Sequence, residues 1–170
     1  MRRALIFVVA CALSSAGCYA GGSAPSVSEA RPTVTVSFPD TTSPGAIETA
    51  SIVVTNPGPQ AFRSLFVTFS IVAIPGEQEL PRDLVAAGGG GLSPTVEAVR
   101  PEPTAVTGGV VYKFSEADPA EPALPVGGTR TVEFDIRLPE KTGLAASSVQ
   151  VYPGEDPERA GGALLRTTVR

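Results

Sequence analysis

Thr131-Val132-Glu133-Phe134-Asp135-Ile136-Arg137-Leu138 is the stretch that decides the fold. Apolar and polar residues alternate along it without a break. A period of two puts Val132, Phe134, Ile136 and Leu138 on one side of an extended chain. Thr131, Glu133, Asp135 and Arg137 then fall on the other, as in a strand with one buried face. The same period runs through Val34, Val36 and Phe38, which alternate with Thr33, Thr35 and Ser37. It returns between Phe62 and Ile74, where Leu65, Val67, Phe69 and Ile71 share a face. Shorter candidates are Glu48–Thr55, Thr95–Val99, Gly109–Phe114, Ser148–Tyr152 and Leu164–Val169. The 18 glycines and 17 prolines punctuate these runs, as in Asn56-Pro57-Gly58-Pro59. No amphipathic helix longer than two turns is discernible. The pattern predicts an all-β chain: an antiparallel, immunoglobulin-like β-sandwich of about 7–9 strands over residues 32–170. Residues 75–91 break the rhythm with Pro81 and Gly88–Gly91. They predict a long excursion with one short helical turn near Pro81–Ala86.

Composition excludes more chemistry than any motif suggests. Histidine and tryptophan are absent, and Met1 is the single methionine. Serine–histidine and cysteine–histidine catalysis, common zinc sites and methionine-rich copper carriers therefore lack their side chains. The sequence implies no cofactor.

The first residues read as an export signal. Arg2 and Arg3 precede an apolar run from Ala4 to Leu13, too short to cross a bilayer but suited to a secretory signal. Ser15-Ala16-Gly17-Cys18 follows and resembles the lipobox of bacterial lipoproteins. Ser15 stands where a leucine is usual, the nearest being Leu13. The resemblance implies recognition of Ser15, Ala16 and Gly17 by a signal peptidase, cleavage of residues 1–17 and a lipid on the Cys18 thiol. Ordinary signal cleavage after Ala16 or Ala20 is the rival reading. Several acyl chains make such an anchor effectively permanent, whereas one holds only reversibly. Tyr19 replaces the aspartate that commonly marks retention in an inner membrane. The expected location is thus the bacterial cell envelope, extracytoplasmic and lipid-anchored. That means an outer membrane if the host has one, and otherwise the outer face of the cytoplasmic membrane.

Cleavage would remove Cys11 and alkylate Cys18, leaving no free thiol and no disulfide. It would also leave 11 basic against 17 acidic residues, a net charge of −6, which argues against nucleic acid as a partner. Residues 18–31 are small and polar and read as a flexible tether of roughly 20 Å root-mean-square reach.

Two further segments carry a family resemblance. Ala50-Ser51-Ile52-Val53-Val54-Thr55-Asn56-Pro57-Gly58-Pro59 looks like a strand followed by an Asn-x-Gly turn. Leu124-x-x-Gly127, then Val132-x-Phe134 and Leu138-Pro139, resembles the later half of the same bacterial surface domains, including the CARDB type. That likeness implies a spacer, stalk or adhesion module. The cysteine pair, core tryptophan and tyrosine corner of antibody domains are missing.

Carboxylates are the remaining catalytic currency. Glu133 and Asp135 share a strand face at roughly 6–7 Å, a spacing compatible with a glycosidase pair. An exposed strand face is ordinarily polar, however, and no aromatic shelf for a sugar is evident. Glu116-x-Asp118-x-x-Glu121 and Glu155-Asp156-x-Glu158 offer hard oxygen ligands in loops but lack EF-hand spacing. Solvated turn carboxylates are the simpler reading, and no metal site is expected. Gly88–Gly91 lacks the lysine and helix start of a phosphate loop. Tyr112 and Tyr152 sit among alternating apolar residues and are expected to pack rather than to anchor a partner.

The reading that follows is a lipid-anchored, non-enzymatic envelope protein. Its membrane attachment would run through Cys18, and its sandwich would bind an envelope protein or glycan through loops or a sheet edge. A carbohydrate-binding or carbohydrate-active module using the exposed carboxylates, and a purely structural spacer, are the alternatives.

Overall fold

The computed structural model describes residues 31–70, 82–83, 95–109, 111–154 and 156–170. The expected signal, with Ser15, Ala16, Gly17 and Cys18, lies outside the described residues, as does the tether up to residue 30. So does the excursion 75–91 except for Arg82 and Asp83.

Among the described residues the chain forms eleven strands and one short 3-10 turn, Pro157–Arg159. The strands are β1 (Thr33–Ser37), β2 (Thr41–Thr42), β3 (Ile47–Thr55), β4 (Ser64–Ser70), β5 (Arg82–Asp83) and β6 (Thr95–Arg100). They continue with β7 (Ala105–Thr107), β8 (Val111–Ser115), β9 (Thr129–Arg137), β10 (Gly143–Pro153) and β11 (Gly161–Val169). One sheet has the order β1-β3-β9-β6. The other runs β2-β11-β10-β4-β8-β7, with β5 also paired to β10. The architecture is an immunoglobulin-like β-sandwich. The eight longer strands are those announced by alternation, while β2, β5 and β7 have only two or three residues each. Two short pairings, β2 with β11 and β5 with β10, are parallel; every other strand pair is antiparallel. At Arg82–Asp83 the expected helical turn is thus replaced by a strand, because the backbone there finds partners on β10 at Ala145 and Ala146.

The core lies between the inward residues of the two sheets. Ala50, Ile52, Val54, Val132, Phe134 and Ile136 from the first sheet meet Leu65, Val67, Phe69, Phe114, Val149, Val151 and Leu165 from the second. Phe134 sits at the centre. The rings of Phe69 and Tyr112 meet it edge-on with centroids 5.0 Å away, and that of Phe114 at 6.5 Å. Edge-to-face contacts satisfy the ring quadrupoles better than a face-to-face sandwich would.

The chain changes sheet on both flanks. β1 belongs to the first sheet and β2 to the second, and the same step separates β6 from β7. At the first flank the sheets close tightly: a Cβ on Gly161, at the start of β11, would collide with the Pro32 carbonyl oxygen. Glycine is what lets the two backbones approach. Three edges are poorly suited to recruiting another strand, since β2 and β7 are very short and β6 is out of register between Val96 and Ala98, whereas the edge strand β1 is a regular five-residue strand.

Candidate functional site

The outer face of the first sheet holds the carboxylates singled out in the sequence. β9 brings Glu133 and Asp135 to the surface, and the antiparallel register sets Arg100 of β6 opposite Glu133. The Arg100 guanidinium grips both. Nη1 and Nη2 donate to the two Asp135 oxygens at 2.6 and 2.7 Å, and Nε donates to Glu133 Oε2 at 3.2 Å. From the other side, the Thr49 hydroxyl of β3 donates to Asp135 Oδ1 at 2.7 Å. The hydrogen bonds from Arg100, then that from Thr49, pull the Asp135 carboxyl from its ordinary value down to about 2. A carboxyl held so firmly as an anion is no proton donor near neutrality. Beside it, Arg137 Nε donates to Glu97 Oε1 at 2.7 Å. The pair is a cross-strand ion network.

Glu116 and Asp118 of the acidic loop between β8 and β9 are held in a similar way. Glu116 pairs with Arg130 at 2.5 Å, and Arg130 also donates to the Ala123 carbonyl at 3.0 Å. Asp118 folds its carboxylate onto its own loop, accepting from the Ala120 amide at 2.8 Å. Arg63 binds the Pro119 and Ala120 carbonyls at 3.0 and 3.1 Å. Asp156 caps the 3-10 turn through the Glu158 amide at 3.1 Å. Glu155 and Gly88–Gly91 lie outside the described residues. Among the described residues no group of three or more His, Cys, Asp or Glu could hold a metal ion.

The outer face of the second sheet is different in kind. Tyr112 points inward and is buried, whereas Tyr152 of β10 lies half-buried on the outside. The register sets Tyr152 opposite Phe66 of β4, and Phe66 opposite Lys113 of β8. Phe66 and Tyr152 stack with centroids 5.3 Å apart and planes 3° from parallel. Lys113 Nζ lies over the Phe66 ring at 5.5 Å, within cation–π range. Burial raises the Tyr152 phenol above its ordinary pKa. Leu164 of β11 adds an exposed apolar group on the same face. An aromatic pair therefore does stand on the surface, contrary to the expectation from a tryptophan-free composition.

Asn56 is the residue whose weight the sequence concealed. Its Asn-Pro-Gly setting announces a turn, yet the side chain is fully buried. Its Nδ2 donates to the Gln60 carbonyl at 2.8 Å and to the Pro125 and Leu124 carbonyls at 3.2 and 3.4 Å. Its Oδ1 accepts from the Gly58 amide at 3.0 Å. Its backbone bonds Gly127 and Gly128 at 2.9 and 3.0 Å, and Gly127 takes a φ of 68° that suits glycine. Asn56 thus locks the β3–β4 turn to the β8–β9 loop at one end of the sandwich.

No family model and no curated protein matches this sequence. Among solved structures, the chain is similar to the ASH/PapD-like domain of human CEP192 (PapD-like domain 7). The two are 14% identical, with 81% of this chain and 84% of that chain covered, at a TM-score of 0.38.

Proposed function

We propose that the protein is a lipid-anchored, non-enzymatic module of the bacterial envelope whose sandwich binds another envelope component. The observation that carries this reading is the state of the carboxylates, the one catalytic currency the composition leaves. Glu133 and Asp135 are bound by Arg100, Glu116 by Arg130, and Asp118 and Asp156 by turn amides. Acids committed to structure favour a binding or scaffold role over glycan hydrolysis. The short β2 and β7 and the bulged β6 favour contact through a face or an end over strand addition at those edges. Anchoring rests on the signal and Cys18. Crosslinking in native membranes tests the whole: one envelope protein should co-purify reproducibly with the intact chain and be lost with Cys18→Ser. Equal capture by the unanchored variant, or none by either, would overturn it.

A sugar-binding reading draws support from the Phe66–Tyr152 stack, since ring faces and edges suit pyranose CH groups. It shifts the expected contacts from the carboxylates to the aromatic pair. Glycan-array binding lost in Tyr152→Ala but kept in Asp135→Asn would establish it.

A further inference from the structure

We infer that the protein pairs with a second copy of itself along β1, antiparallel about a two-fold axis at Thr35, so that the first sheets of two copies run on as one. Among the described residues, four strands end the two sheets: β1 and β6 in the first, β2 and β7 in the second. Edges left open invite another strand, and folded chains commonly shorten, bulge or charge them. β2 and β7 are two and three residues long, and β6 shifts register between Val96 and Ala98. β1 carries none of these devices. It keeps unbroken register with β3 from Thr33 to Ser37, and no charged residue lies between Pro32 and Pro39. The closest approach to Gly161 is made by the Pro32 carbonyl, ahead of the strand.

The occupant follows from the strand's own symmetry. Thr33-Val34-Thr35-Val36-Ser37 has the same pattern read from either end. Turned about Thr35, Thr33 faces the second copy's Ser37, and Val34 faces the second copy's Val36. Hydroxyl side chains then meet on the outer face and valines on the inner, and both kinds of cross-strand pair are favourable. Val34 and Val36 pack on the core yet stay only half-buried, and the added strand covers what is left. The neighbouring outward residues of β3, Ser51, Val53 and Thr55, are uncharged as well, so the seam opposes no like charges. Its ends match in sign, because the two-fold sets each exposed Arg31 beside the second copy's exposed Asp40. An isologous contact of this kind closes at two copies, since each β1 is used up by the other.

Cysteine crosslinking in intact host cells tests the pairing, with the unsubstituted chain setting the background from its native thiols. Thr33, Thr35 and Ser37 are exposed, so single cysteines there spare the fold. Thr35→Cys places two Cα atoms about 4.5–5.5 Å apart across the axis, within disulfide range. Thr33→Cys and Ser37→Cys each place theirs roughly 14 Å apart along the strands, out of range. On mild oxidation, Thr35→Cys should give a species of twice the chain mass at about fivefold or more the yield of either neighbour. Cells holding both Thr33→Cys and Ser37→Cys chains should recover it. Equal yields at the three positions, none at Thr35→Cys, or a crosslink from Thr35→Cys to a different protein in place of its own copy overturns the pairing. None of these results bears on the anchored reading, which rests on Cys18.

Discussion

The two outer faces of the sandwich solve the same problem in opposite ways. On the first sheet, Arg100, Glu133, Asp135, Thr49, Arg137 and Glu97 answer one another in a cross-strand network. On the second, Phe66 and Tyr152 stack beneath Lys113, with Leu164 exposed farther along the same face, opposite Ser148. On the first face the named charged groups are already paired with one another, so a ligand that recruits them competes with existing bonds. The second keeps half-buried ring surface near water, which a partner can cover without displacing an ion pair. The lesson is that the residues most conspicuous in the sequence are occupied, and the surface better disposed to binding was hidden in the register.

The largest effect is expected midway between the faces. Phe134→Ala removes the ring that meets Phe69, Tyr112 and Phe114, and should cost about 3–5 kcal/mol in urea unfolding. Both faces should be lost in one transition. Separate transitions for labels on the two faces would break the comparison by making them independent units. Asn56→Ala comes next, at about 2–3 kcal/mol, because it removes the acceptor of the Gly58 amide and the donor to the Gln60 carbonyl, while the Leu124 and Pro125 carbonyls keep the Phe62 and Gly128 amides. Proteolysis should then appear first in the β3–β4 turn and the β8–β9 loop, with the faces themselves still folded.

A double-mutant cycle on Phe66 and Tyr152 probes the second face. Coupling of about 0.5–1.5 kcal/mol is expected, insensitive to salt. The equivalent cycle on Arg100 and Asp135 should give the smallest coupling at neutral pH, and it should fade as salt is added. That pair shows itself through pH instead. Asp135 is depressed from 3.8 to about 2 in the folded chain, so its contribution is fully present above the unfolded value. It is lost as pH falls through that window. Thermal melts from pH 5 to pH 2 should therefore show a steeper acid fall for the wild type than for Asp135→Asn. Identical slopes would mean that the network contributes nothing.

Alternation made the long strands legible, because one buried face imposes a period of two on β3, β4 and β9. It failed for β2, β5 and β7, which are too short to carry a period and exist only where a neighbouring strand offers free backbone groups. Arg82–Asp83 shows this directly: beside Pro81 it suggested a helical turn, and the edge of β10 made it a strand. The ion network was half legible. Glu133 and Asp135 announced themselves, but Arg100 lies 33 residues from Glu133 and meets it only through an irregular register. Phe66 and Tyr152 are further apart still, and nothing local pairs them. Asn56 was read as a turn former, and its burial depends on the distant loop at Leu124–Gly128.

The central claim is that this sandwich is held at a membrane through Cys18, and the intact mass of the protein extracted from its host's membranes tests it most directly. A species beginning at Cys18 and carrying a diacylglyceryl or triacyl mass is the predicted result. An unmodified chain beginning at Gly17 or Gly21, recovered in the soluble fraction, would contradict it.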